Sequence, residues 1–240
     1  MKTVLITGAN KGIGFETAKQ LAQLGYFVFL GSRDKVKGID AINKLNGLGL
    51  SNVETIEIDV ANINSIKQAK HELETKIEAL DVLINNAAIT GEQPQNISTF
   101  DIEVLRKVFD TNYFGAIQTT QQFIPLLKKS NLPIIVNVSS EVGSLTMHTS
   151  AGRNPNWDFY NAYGSSKTAL NSFTVMLANE FRDTHFKVNS VTPGYTATDL
   201  NDHKGIKKVE DGAKPIVRLA TLNMDGPTGK FFREEGEVPW

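Results

Sequence analysis

Short apolar blocks alternate with longer stretches of helical period along the whole of this sequence. The blocks fall at residues 3–7, 27–30, 53–58, 82–85, 134–138 and 187–192, with a shorter one at 230–232. Several are apolar at every position rather than every second one, as in Val4-Leu5-Ile6 and Ile134-Ile135-Val136. A strand covered on both faces reads this way, whereas a half-exposed strand alternates. The helical stretches lie at 13–24, 63–77, 101–127 and 162–182; in the last, Leu170, Phe173, Leu177 and Phe181 recur on one helical face. Alternation of strand and helix over the full length implies right-handed crossovers. The pattern predicts an α/β fold: a doubly wound parallel sheet of about seven strands with helices on both faces, in a single domain over residues 1–240.

Two stretches break the rhythm. Residues 141–161 mix Gly, Ser, His, Asn, Pro and Trp without a period, and residues 197–211 are polar and charged. Each follows the carboxyl end of a predicted strand, the edge where open α/β sheets bind ligands, so both are expected to be substrate-side loops. The plainer alternative is two irregular surface connections. Composition narrows the classes further. Lysine and arginine total 25 against 26 acidic residues, a net charge of −1, which gives no global field for nucleic acid or an anionic membrane. The chain has no cysteine, which removes disulfides, thiolate metal sites and cysteine nucleophiles together and suits a reducing compartment. The four histidines show no metal-ligand spacing, and no metal is expected. No stretch approaches the length of a membrane span. The expectation is a soluble, cytoplasmic protein with neither nucleic acid nor membrane as partner.

The first strand block runs into Thr7-Gly8-Ala9-Asn10-Lys11-Gly12-Ile13-Gly14 and straight on into a helix. Glycines let a backbone turn tightly against a pyrophosphate, and the helix start offers it free N–H groups and a positive dipole end. In this context the sheet reads as Rossmann-type. The second strand block continues Leu30-Gly31-Ser32-Arg33, a base where NAD-preferring folds usually carry an acid, and Asp34 comes only afterwards. Arg33, with its planar fork, and Lys11, as a point charge, suit a ribose 2′-phosphate, so the expected cofactor is NADPH. The alternative for both is a solvated cation on a loop.

These residues are followed, in order, by Asp59-Val60, Asn85-Asn86-Ala87-Ala88, Asn112, Ser140, Tyr163-Gly164-Ser165-Ser166-Lys167 and Pro193-Gly194. The set resembles the short-chain dehydrogenase/reductase family. The glycine turn and the closing Gly226-Pro227-Thr228-Gly229 look most like its carbonyl reductase branch. The resemblance implies cofactor contacts from Gly8, Asn10, Lys11, Gly12, Ile13, Gly14 and Arg33. It places Asp59 and Val60 along the adenine, Asn86, Ala87 and Ala88 at the inner edge, and Pro193, Gly194, Thr196 and Thr198 near the nicotinamide carboxamide. The fourth residue of the Asn85–Ala88 motif is alanine where the family usually has glycine.

Reduction of a carbonyl needs a proton for the developing alkoxide and donors that hold its oxygen. Tyr163 and Lys167 are four apart on a predicted helix and share one face. A nearby ammonium is expected to lower the phenol's pKa. By resemblance, Tyr163 donates the proton, Lys167 holds the nicotinamide ribose and tunes Tyr163, Ser140 bonds the carbonyl oxygen, and Asn112 holds a water in a proton relay. Ser139 competes for the serine role, and the family's use of the second residue of this pair favours Ser140. Met147, Trp157 and Phe159, between Ser140 and Tyr163, and Tyr195 beyond Gly194 are the substrate-contact candidates. Trp157 or Phe159 is expected to cover the substrate and favour hydrophobic or aryl carbonyls. The reading is an NADPH-dependent ketone or aldehyde reductase acting on a small carbonyl or alcohol, with monomer and homo-oligomer both open. Its rivals are a non-catalytic dinucleotide sensor, an isomerase or dehydratase of the extended family, and an NAD-linked alcohol dehydrogenase.

Overall fold

The computed structural model describes all residues, Met1–Trp240. Its strands are β1 (Thr3–Ile6), β2 (Phe27–Ser32), β3 (Val53–Glu57), β4 (Val82–Asn85), β5 (Ile134–Val138), β6 (Lys187–Val191), β7 (Phe231–Arg233) and β8 (Gly236–Glu237). Its helices are α1 (Gly12–Gln23), α2 (Lys35–Gly47), α3 (Ile63–Glu74), α4 (Ile102–Phe109), α5 (Gly115–Leu127), α6 (Leu145–His148), α7 (Asn161–Glu180) and α8 (Val209–Ala220). The strands form one sheet in the order β3-β2-β1-β4-β5-β6-β7-β8. The first seven run parallel, and β8 returns antiparallel on β7. That gives one strand more than the apolar blocks predict. The eighth is only Gly236 and Glu237, too short and polar to leave a hydrophobic signal.

Successive strand residues face opposite sides of the sheet and enter different cores. Val4, Ile6, Val28, Leu30 and Ile84 pack with Leu21 of α1, Leu45 of α2 and Ile216 of α8. Leu5, Phe29, Leu83 and Ile135 pack with Ile66 of α3, Phe123 of α5 and Leu177 of α7. Both faces are therefore covered, which is why the central blocks such as Val4-Leu5-Ile6 and Ile134-Ile135-Val136 are apolar at every position. The order reverses at β1, which pairs with β2 on one side and β4 on the other. A crevice opens beyond the carboxyl ends of the strands at such a switch point.

Four local features depart from the sequence pattern. Helix α2 buries only Gly38, Ala41 and Leu45, too narrow a stripe to stand out. The stretch 101–127 is not one helix but α4 and α5 joined by a π-helical turn, Asp110–Phe114. Residues 141–161 are a 3₁₀ turn (Glu141–Gly143), α6, a second 3₁₀ turn (Pro155–Tyr160) and the first residue of α7. Residues 197–211 hold a 3₁₀ turn (Asp199–Asn201) and the start of α8.

Candidate active site

The turns after β1 and β4 are locked to each other. Thr7 Oγ1 accepts from the backbone N–H of Asn86 (3.0 Å) and Ala87 (3.1 Å). Asn86 Nδ2 donates to the carbonyls of Thr7 (2.9 Å) and Gly8 (3.1 Å). Gly8 has φ of +63°, and a Cβ there would stand 2.8 Å from Ala87 Cα. A Cβ on Gly14 would stand 2.5 Å from Asn86 Nδ2. Both positions therefore require glycine. Lys11, the N-cap of α1, supplies no side-chain acceptor, so the first-turn N–H groups remain available to an anion.

Most predicted cofactor residues meet in one cleft of about 730 Å³: Gly8, Asn10, Lys11, Gly12, Ile13, Gly14, Arg33, Asp59, Val60, Asn86, Ala87, Ala88 and Thr198. Tyr163, Lys167, Pro193, Gly194 and Thr196 lie outside its lining. Buried Thr196 turns its hydroxyl to the carbonyls of Pro193 (3.2 Å) and Gly194 (3.3 Å). The glycine turn, the absence of side chains where a backbone must approach, and the open helix start suit a dinucleotide pyrophosphate.

The charges at the far end of the cleft are sorted by local structure. Arg33 is exposed and makes no ion pair. Asp34 is instead the N-cap of α2, accepting from Lys37 N (3.1 Å), and it does not line the cleft. That backbone hydrogen bond holds its carboxyl below the usual range. Lys11 departs from the expected pairing with Arg33. Its ammonium lies 2.6 Å from Asp199, whose other oxygen is 2.9 Å from His203 Nε2. The lysine thus bridges from the glycine turn to the substrate-side segment after β6. Asp199 and His203 had no sequence signal, because this pairing exists only across the folded cleft.

At the reacting end, Ser140 follows β5, while Tyr163 and Lys167 lie in the first two turns of α7. Lys167 is 2 % exposed; its Nζ donates to Val138 O (2.7 Å) and sits 5.5 Å from the centre of the Tyr163 ring. Burial lowers its pKa from 10.5 to about 7. The Tyr163 phenol is raised, not lowered as the pairing with lysine predicted. Burial around the hydroxyl is the largest cause, a hydrogen bond to Ser140 pulls the other way, and Tyr160 adds to the rise. The reason is that desolvation of the phenol dominates, and Lys167 beside its ring is itself desolvated. Ser139 is buried, with its hydroxyl directed at Lys167 O (3.5 Å), which leaves Ser140 as the serine facing the tyrosine.

Asn112 sits in the π-helical turn and is 1 % exposed. It accepts from Ile89 N (2.9 Å) and donates to Ile89 O (2.9 Å) and Ser166 Oγ (3.0 Å). Both amide N–H groups are spent on protein partners, so the side chain has no donor left for the expected water. It works as a clamp between the turn after β4 and α7.

The predicted substrate contacts are dispersed. Trp157 packs on His148 within its own segment, with ring centres 5.1 Å apart, rather than over Tyr163. Phe159 is 62 % exposed, and Met147 lies in α6 with its N–H bonded to Ser144. Tyr195 is half exposed and lies beside Tyr160, adding to the rise that burial causes in the Tyr160 phenol. Tyr160 in turn meets Tyr163 edge-on at 6.5 Å. Tyr160 is thus the aromatic residue next to the proposed proton donor, and sequence reasoning missed it. Only the 3₁₀ turn leading into α7 turns it toward Tyr163.

The family model described as short chain dehydrogenase matches residues 2–208. The chain belongs to the short-chain dehydrogenase family. Like its family it is an oxidoreductase that works with a nicotinamide cofactor on a small molecule. A (+)-neomenthol dehydrogenase from Capsicum annuum is 32 % identical, covering 95 % of this chain and 94 % of that one. The solved salutaridine reductase of Papaver somniferum superposes with a TM-score of 0.85 at 30 % identity, covering 98 % of this chain and 100 % of that one. An NADPH-bound carbonyl reductase from chicken fatty liver also reaches 0.85, at 27 % identity, covering 100 % and 99 %. The alignment with the Capsicum enzyme runs to 301 positions, more than the 240 residues here, so that relative carries segments this dehydrogenase lacks. No helix is long and apolar enough to cross a membrane.

Proposed function

We propose that this dehydrogenase is an NADPH-dependent carbonyl reductase in which Tyr163 delivers the proton. The observation that carries the reading is the grouping of Ser140, Tyr163 and Lys167, with the phenol kept protonated by burial. A proton donor must hold its proton until the alkoxide develops, and a raised pKa does that at neutral pH. NADPH supplies the hydride when bound. Ser140, which faces the Tyr163 phenol, would bond the same carbonyl oxygen. Lys167, whose pKa burial lowers to about 7, would donate to ribose hydroxyls in the wall of the site. Asn112 holds the turn after β4 against α7, fixing the distance between the cofactor's inner edge and Tyr163.

Arg33 supports NADPH over NADH: it is an unpaired guanidinium on the cleft, and the neighbouring acid is withdrawn as a helix cap. The names of the chicken, Capsicum and Papaver relatives support reduction of a ketone or aldehyde. The test is oxidation of NADPH and NADH by the purified protein with a panel of cyclic, aryl and aliphatic carbonyls. Activity with NADPH is expected, and Tyr163→Phe should lower turnover about a hundredfold or more with NADPH binding intact. Turnover within about tenfold of the native enzyme in that variant would remove Tyr163 from the role.

A further inference from the structure

Helix α7 begins without a local cap. Its N-cap, Tyr160, gives no side-chain hydrogen bond, although Ala162 and Tyr163 occupy the positions whose N–H groups a cap normally serves. The acceptor comes from Gln95, more than sixty residues earlier, in the connection between β4 and α4. Gln95 Oε1 accepts from Ala162 N (2.9 Å) and Tyr163 N (3.5 Å). Its Nε2 donates to the carbonyls of Thr90 (2.7 Å) and Glu92 (3.3 Å), both in the lining of the cofactor cleft. The side chain is 1 % exposed, so every one of these bonds is made out of water. Two further bonds hold the same connection to the start of α7 and the turn before it: Asn161 Nδ2 donates to Gln95 O (2.8 Å), and the Gln93 side chain donates through Nε2 to Phe159 O (2.5 Å) in the 3₁₀ turn.

The geometry points to Gln95 as a positioning residue of this site. The acceptor half of its carboxamide sets the height of Tyr163, and the donor half holds residues 90–92 of the cleft wall to the same point. A local Ser or Asp cap would satisfy the helix start but leave it free to shift against the cleft. A buried carboxamide reaching from the opposite wall cannot let one side move without the other. The inference rests on the reading of Tyr163 as proton donor, since a misplacement of about 1 Å matters only for a residue that reacts.

Single-turnover reduction of a ketone by enzyme-bound NADPH tests it, with the rate expressed per bound cofactor. Gln95→Met keeps the volume and loses all four bonds. The rate per bound cofactor is expected to fall about tenfold or more, while the NADPH Kd changes less than about threefold. A merely structural role would reduce the amount of protein that binds NADPH but leave each bound complex reacting at the native rate, and that result overturns the inference. Gln95→Glu separates the halves, because a carboxylate still accepts from Ala162 and Tyr163 but cannot donate to Thr90 and Glu92. It should keep the rate per bound cofactor within about threefold, because the bonds that set Tyr163 survive. A larger rate loss in Gln95→Glu overturns the assignment, and this arm decides the matter if Gln95→Met does not fold. Tyr163→Phe run in parallel locates any failure. If it retains its rate, the proton-donor reading falls and the inference with it; if it is inactive while Gln95→Met is native-like, Gln95 alone is wrong.

Discussion

Burial leaves Lys167 with a pKa of about 7 in the folded chain against 10.5 unfolded. Between those values the unfolded chain holds a proton that the folded one does not. Stability from this residue therefore rises with pH across that window, and its cost is fully present below about 7. Lys167→Met should lose turnover yet melt higher than the native protein at about pH 6, by roughly 2–4 °C for each kcal/mol released, with the gap narrowing toward about pH 10. Thermal melts across that range check both the sign and the window. Arg33 is argued at the same scale. A charge-assisted hydrogen bond is worth about 1.5–3 kcal/mol, so Arg33→Ala should weaken NADPH about tenfold or more and leave NADH nearly unchanged, as read by fluorescence titration. Equal weakening of both cofactors would mean that Arg33 does not face the 2′ position.

Within elements, small local choices decide which chemistry a residue can perform. Asp34 is one residue from a position that would favour NAD, yet it caps α2. Asp34→Ala should lower the urea midpoint and leave the NADPH-to-NADH ratio of affinities where it was. The same logic explains where the sequence was legible. The glycine turn reads directly because φ of +63° at Gly8 and the 2.8 Å approach to Ala87 admit only glycine. The π-helical turn at Asp110–Phe114 left no trace in the 101–127 pattern, since its side chains keep a helical appearance while one extra residue is absorbed. The aromatic lid expected from Trp157 and Phe159 did not form over Tyr163. Trp157 found His148, and the Arg153–Asp158 ion pair (2.5 Å) closes the segment on itself.

Across the molecule, a buried polar chain joins the two catalytic-side helices through the sheet. Asn85 Nδ2 donates to Thr120 Oγ1 of α5 (3.0 Å) and Asn137 Oδ1 (2.8 Å), and Asn137 Nδ2 donates to Thr174 Oγ1 of α7 (2.8 Å). Thr174 in turn meets Ser190 of β6 at 2.8 Å. The register of β4 on β5 sets Asn85 opposite Asn137, directly below the ends that carry the cofactor turn and Ser140. Asn137→Ala removes two buried hydrogen bonds, each worth about 0.5–1.5 kcal/mol, so a loss of about 2 kcal/mol with an unchanged urea m-value is expected. A loss under about 1 kcal/mol would show that the chain relaxes and does not brace the helices.

Continuous apolar blocks determined the two-sided parallel sheet, because a strand can hide every side chain only between two helical layers. Glycine spacing determined the phosphate turn, because the backbone conformation there excludes a Cβ. The order of Asn112, Ser140, Tyr163 and Lys167 along the chain carried the family resemblance, and with it the expected reaction. Tertiary structure alone decided the protonation of that set, since desolvation depends on what packs around a group and not on its neighbours in sequence. It also decided that Lys11 meets Asp199, that Asn112 spends its amide on Ile89 and Ser166, and that Gln95 caps α7. Each of these contacts joins residues far apart in the chain, and a periodicity read over a few turns carries no information about a partner that only folding brings within reach.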